Sequence, residues 1–239
     1  MKNRIAYVTI YKESKIRYYL VALRQNGVFM NKFVITIARS CGSGGVRIGK
    51  ILAERLGVEY YDSKLLRLAS DDSGISEELF VNADEKLKKT SLFKASRKSY
   101  NGEVIPPESA DFTSSRNLFN YQTKVIRELA ASENCIIIGR CSEDVLWDYP
   151  YVFRVFISGS YQKCAQTEAK EHGLTLKAAY EKVDKVNKYR ADYHRYYTGK
   201  EWGHPGNYDL CLSTDNFTLE QCADIILSAA KVKLGNQGY

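Results

Sequence analysis

Apolar runs of strand length alternate with amphipathic helical stretches along most of the chain. The runs "FVITIA" (33 to 38), "VEYY" (58 to 61), "CIIIG" (135 to 139), "YVFRVFI" (151 to 157) and "YDLCLS" (208 to 213) predict five strands. Several are continuously apolar instead of alternating, which is the pattern of strands covered on both faces. Between them, Ile48, Ile51, Leu52 and Leu56, and later Leu118, Tyr121, Val125, Ile126 and Leu129, recur at spacings of three and four. Each such helix therefore carries one apolar stripe. A last helix opens on Thr218 and Gln221, spaced as a capping box, and runs through Cys222, Ile225, Ile226 and Ala229. Strict alternation of strand and helix implies a parallel sheet with right-handed crossovers.

Two segments break this rhythm. Residues 63–115 are too long for one crossover and read as an insert, and residues 184–206 form a basic, aromatic-rich run with a Gly/Pro exit that reads as a lid. Both belong at the carboxyl ends of the strands, where open α/β sheets bind ligands. Residues 1–29 hold two β-like runs, "RIAYVTI" and "IRYYLVAL". Either they form a hairpin extension, or translation begins at Met30 and they are a misassigned start. The main α/β domain is expected over 30–239.

Composition narrows the class without choosing a function. With 239 residues and 44% apolar content, the chain can bury a large single core. No run reaches the roughly 18–20 apolar residues of a membrane span, and the first residues carry Lys12, Glu13, Lys15, Arg17 and Arg24, so a soluble, cytoplasmic protein is expected. The six cysteines lack C-x-x-C pairing and read as reduced thiols. His172, His194 and His204 lack ligand spacing, so no metal site built from side chains is expected. A net charge of +7 suits nucleic acid or small polyanions such as nucleotides.

The stretch "RSCGSGGVRIG" joins the first strand to the first helix. Its Gly42, Ser43, Gly44 and Gly45 supply what a phosphate cradle needs: amides free to face an anion and a helix N-terminus behind them. The lysine of a G-x-x-x-x-G-K-[ST] loop has one literal match, Gly44 to Lys50, but that register puts Ile51 at the Ser/Thr position and dissolves the helical stripe starting at Ile48. Lys50 is therefore read as a surface residue. The cation nearest the loop is then Arg47, in the first helical turn, with Arg39 at the strand exit as the other candidate.

The motifs "ITIARSCGSGGVRIGKILAERLGVEYYD", "CIIIGRCSEDVL", "RADYHRYYTGKEWG" and "NYDLCLST" resemble, in order and spacing, the bacterial cytidylate kinase-like proteins, a branch of the P-loop nucleoside monophosphate kinases. The resemblance spans about residues 32–230. It implies a P-loop NTPase of three-layer α/β/α form with a five-stranded parallel sheet, an inserted monophosphate-binding region and a lid. It further implies ATP- and Mg²⁺-dependent phosphoryl transfer to a nucleoside monophosphate such as CMP, or to a similar small acceptor. Arg140 matches the arginine that contacts the acceptor phosphate, and Arg190 a lid arginine on the transferring phosphate; with Arg47 they form the expected catalytic set. Arg39 joins the glycine loop on the donor side, and Asp62, Asn187 and Arg195 are assigned to the substrate.

There are departures. Cys141 stands in place of an aspartate, Asn187 in place of an aspartate that helps read cytosine, and Cys164 and Thr167 where arginines usually hold ATP. Asp62 is open to two roles, a substrate or magnesium contact and an N-cap for the helix after it. Tyr193, Tyr196, Tyr197 and Trp202 are open to core packing or base stacking. Three functions remain in competition: a small-molecule kinase, a nucleotide-binding regulator with weakened catalysis, and a nucleic-acid binder resting only on charge.

Overall fold

The computed structural model describes residues 32–80 and 102–235. Its strands are β1 (Val34–Arg39), β2 (Glu59–Tyr61), β3 (Cys135–Ile138), β4 (Val152–Ser158) and β5 (Leu210–Ser213). They form one sheet in the order β2-β3-β1-β4-β5, and every pairing is parallel. Each of the five runs predicted from the apolar pattern is a strand. Successive residues of a strand face opposite ways. Ile35 and Ile37 pack with α1 (Gly45–Leu56) and α7 (Leu219–Gly235), whereas Val34, Cys135 and Ile137 pack with α2 (Lys64–Ser73) and α3 (Ser115–Ser132). Both faces are thus covered, and the architecture is the three-layer α/β/α of P-loop kinases.

The chain leaves β1 toward β2 on one side and leaves the adjacent β4 toward β5 on the other, so the direction of winding reverses between these two neighbouring strands. A crevice at the carboxyl end of the sheet follows from that reversal. It is bordered by α4 (Ser142–Val145), α5 (Tyr161–His172) and the 23-residue α6 (Leu176–Thr198). Thr175 caps α6, its hydroxyl accepting from the Ala178 N–H at 3.3 Å, and left-handed Gly199 closes the other end. The capping box at Thr218 and Gln221 forms in both directions, at 2.9 and 3.2 Å.

The segment read as a lid is the carboxyl half of α6 and the turn after it. Its aromatics pack: Tyr197 stacks on Phe119 with centroids 3.9 Å apart, and Trp202 meets the Phe156 ring edge-on at 5.3 Å. Within the expected insert, 81–101 lie outside the described residues, as do 1–31 with the expected hairpin or misassigned start. All six cysteines are free thiols. No described helix is long and apolar enough to cross a membrane.

Candidate active site

The loop after β1 is built mostly from its own backbone. Ser40 N–H donates to the Ile157 carbonyl at 2.9 Å, and the Ser43 hydroxyl donates to the Ser40 carbonyl at 2.8 Å. Cys41 N–H donates to Asn187 Oδ1 at 2.8 Å, which ties the loop to α6. Gly42 has φ +74°, and a Cβ there would strike the Cys164 carbonyl, so only glycine fits. Gly44, at φ 84°, caps α1 without any side-chain hydrogen bond. The first amides of that helix, on Gly45, Val46 and Arg47, have no intrahelical acceptor and lie at its positive end, where an anion is favoured.

Two cavities meet beside this loop. One, of about 210 Å³, is lined by Arg39, Asp62, Arg140, Arg190, Tyr193 and Trp202 among others. The other, of about 120 Å³, lies over Gly42, Gly44, Gly45 and Arg47 and faces Glu168 and Glu171 of α5. Arg39 and Arg190 line both. Arg190 Nη1 donates to the main-chain carbonyl of Arg39 at 2.9 Å, and Arg39 Nη2 reaches Asp62 at 3.3 Å.

The electrostatics mark this junction as anion-seeking. Burial, then the neighbouring Arg190, push the Arg39 guanidinium down to about 10 against the pull of Asp62, and Arg140 adds to the repulsion. Burial also lowers Arg190. A phosphate placed among these three cations would relieve that repulsion. The loop thiol is inert by contrast, since burial and the Glu168 carboxylate push Cys41 up to about 11.

Arg140 reaches the cavity from an unusual turn. Gly139, Arg140 and Cys141 leave β3 with φ of 75°, 60° and 55°, and two of these are non-glycine residues in the left-handed region. Each such residue costs on the order of 1–2 kcal/mol, and strain of this kind gathers at functional sites. Directly after the turn, buried Glu143 meets His194 of α6, Oε1 to Nε2 at 2.9 Å. Burial alone would lower His194, but the Glu143 hydrogen bond and charge outweigh it and hold the imidazole above its ordinary value.

A family model for the cytidylate kinase-like family matches residues 34–216. The chain belongs to that family. Among solved structures, an uncharacterized protein from Eubacterium ventriosum ATCC 27560 is 25% identical, covering 84% of this chain and 99% of its own, with a TM-score of 0.63. A gluconokinase from Sinorhizobium meliloti 1021 is 14% identical over 86% of this chain and 95% of its own, at a TM-score of 0.48. A shikimate kinase from Bacteroides thetaiotaomicron is 12% identical over 85% and 98%, at 0.47. No curated protein matches the chain.

In this cytidylate kinase-like chain, Arg39, Asp62, Arg140 and Arg190 come together in the larger cavity, and Gly42, Gly44, Gly45 and Arg47 in the smaller. Asp62 is not the N-cap of α2, a position held by Ser63; its carboxylate turns to Arg39 instead. Arg47 is half exposed and its Nη1 lies 2.8 Å from Glu171 Oε1, so the loop's nearest cation is engaged by a carboxylate. Lys50 is exposed and sits over the Tyr60 ring at 5.6 Å, away from the loop. Asn187, Arg195 and Ser43 line neither cavity: Asn187 braces the loop, Arg195 is exposed, and Ser43 is spent within the loop. Cys164 is buried, and the Thr167 hydroxyl donates to the Lys163 carbonyl, so neither position supplies a cation.

Glu143, His194, Glu168 and Glu171 had no role in the sequence reading. His194 follows Arg190 by four residues, which puts both on one face of a helix, and that spacing was the available signal.

Proposed function

We propose that this protein is an ATP- and Mg²⁺-dependent phosphotransferase whose acceptor is a nucleoside monophosphate of the CMP type or a similar small anion. The supporting observation is that Arg39 and Arg190 belong to both cavities at once. Phosphoryl transfer asks a protein to hold donor and acceptor in line and to neutralise charge on the equatorial oxygens between them. Two part-buried guanidiniums at the junction of two cavities are suited to that task. The loop amides and Arg47 hold the donor phosphates, Arg140 holds the anionic group of the acceptor, and Arg190 and Arg39 face the transferring group.

Magnesium would add positive charge on the donor phosphates. Asp62, a part-exposed carboxylate in the larger cavity, is of the right chemistry to hold a hydrated ion through water. The Arg47 pair with Glu171 favours the second reading, a nucleotide-binding regulator with weakened catalysis, because a donor must displace that carboxylate before it can use the arginine.

A screen of ADP release with Mg-ATP across nucleoside monophosphates and small hydroxylated anions, run beside thermal shifts for the same ligands, separates the two. Turnover with any acceptor supports the kinase. A rise in melting temperature with ATP or CMP and no ADP released supports the regulator and overturns the kinase.

A further inference from the structure

We propose that Cys141, Glu143 and His194 form a binding site for a soft divalent cation of the zinc class, opening onto the larger cavity. Their ligand atoms, a thiol sulfur, a carboxylate oxygen and an imidazole nitrogen, lie within 4.8 Å of one another, and all three residues are buried. Each also lines the cavity of about 210 Å³. Zinc takes sulfur, nitrogen and oxygen ligands at about 2.0–2.3 Å in a tetrahedron, which sets its ligands about 3.5 Å apart. With the Glu143 and His194 atoms 2.9 Å apart and no pair beyond 4.8 Å, small side-chain rotations close the site. Three protein ligands and one position open to a cavity is the arrangement of zinc sites that also engage a small molecule.

Two further observations point the same way. His194 Nδ1 faces the Lys200 carbonyl at 3.1 Å and Thr198 Oγ1 at 3.2 Å, while the Thr198 hydroxyl spends its proton on the His194 carbonyl at 2.7 Å. Nδ1 therefore carries a hydrogen, and Nε2 is the nitrogen turned toward Glu143, which is how an outer carbonyl orients a metal-bound histidine. Cys141 is held at φ 55°, in the left-handed region a non-glycine residue seldom enters, within the turn that leads to Glu143. The set of sulfur, nitrogen and oxygen donors selects against magnesium and calcium, which prefer oxygen alone.

Arg39, Arg140 and Arg190 line the same cavity and repel a bare cation. A thiolate and a carboxylate cancel the double charge of the ion, so the occupied site is neutral, and the arginines are left to hold an anion at the open position. The sequence offered no ligand spacing because Glu143 and His194 lie 51 residues apart and meet only when α6 docks on α4.

The site stands apart from the reading of the protein as a kinase, and its test does not use activity. Cobalt(II) titrated into the metal-free full chain is expected to give thiolate-to-cobalt charge-transfer absorption and the d–d bands of a four-coordinate ion, saturating at one equivalent. Cys141→Ser is expected to abolish the charge-transfer band, His194→Gln to weaken binding by about 100-fold or more, and Cys164→Ser, at a buried thiol outside the site, to leave the spectrum unchanged. Circular dichroism establishes which variants fold, and Cys141→Ser alone decides if His194→Gln does not. Absence of the charge-transfer band in the wild-type chain, or its survival in folded Cys141→Ser, overturns the site and leaves Glu143 and His194 as an ion pair joining two helices.

Discussion

Arg190 Nη1 donates to the main-chain carbonyl of Arg39 at 2.9 Å, across 151 residues of sequence. Through this bond the long helix α6 is fastened to the strand that carries the glycine loop, and two guanidiniums are held side by side. Burial lowers both, Arg190 and Arg140 further lower Arg39, and Arg140 further lowers Arg190, so the site is under charge stress until an anion arrives. Inorganic phosphate at ten times its dissociation constant is therefore expected to stabilise the wild type by about 1.4 kcal/mol, a rise of about 3–5 °C in melting temperature. Arg140→Ala is expected to lose most of that rise, as read by thermal shift.

Arg140 itself is held at φ 60°. Arg140→Ala is expected to lower turnover by about 10²–10³-fold, the usual effect of removing one preorganised donor, with little change in melting temperature. Arg140→Gly is expected to be equally inactive yet more stable by about 1 kcal/mol, because glycine relieves the left-handed strain. Paired activity and urea-melt measurements check both. A large loss of stability in either variant would assign Arg140 a structural role.

The Arg47 and Glu171 pair lines the smaller cavity with both side chains substantially exposed. Exposed pairs of this kind contribute about 0.2–1 kcal/mol. Glu171→Gln is expected to tighten Mg-ATP binding by about two- to fivefold by releasing Arg47, and Arg47→Ala to weaken it, with stability nearly unchanged in both. Isothermal titration reads the difference.

Asp209 illustrates the pH dependence of the scaffold. Burial pushes its carboxyl up, but Lys233 Nζ at 2.7 Å, the Arg154 N–H at 2.8 Å and Arg154 Nε at 3.1 Å outweigh burial and hold it below the usual carboxylate range. A group lowered in the folded state adds stability above its unfolded value, near 3.9, and loses it as pH falls through the folded one. Asp209→Asn is expected to cost about 1.5–3 kcal/mol at pH 7. The gap to wild type is expected to shrink below about pH 4, as followed by urea melts across pH.

The fold was legible because sheet burial writes itself into the chain as unbroken apolar runs. "CIIIG" and "YVFRVFI" can only be satisfied by cover on both faces, and β3 and β4 occupy those positions. The glycine loop was legible for a similar reason, since four small residues between strand and helix answer a backbone requirement that is local. Pairings that depend on docking were not. Asp62 could be read as a helix cap because that role is local, whereas its partner Arg39 comes from another strand. The same holds for Asn187, whose amide reaches back 146 residues to the loop, and for Glu171, which meets Arg47 only once α5 packs beside the loop.

The most direct measurement is transfer of the labelled γ-phosphoryl group from Mg-ATP to an acceptor panel of nucleoside monophosphates and small anions, by wild type and Arg190→Lys. A lysine keeps the charge of Arg190 but cannot span the Arg39 carbonyl and a phosphate together. The expected result is a labelled acceptor with wild type, reduced about 10²–10³-fold in Arg190→Lys at similar melting temperature. No labelled product from any acceptor, or equal transfer by the two proteins, would contradict a phosphotransfer site at the junction of the two cavities.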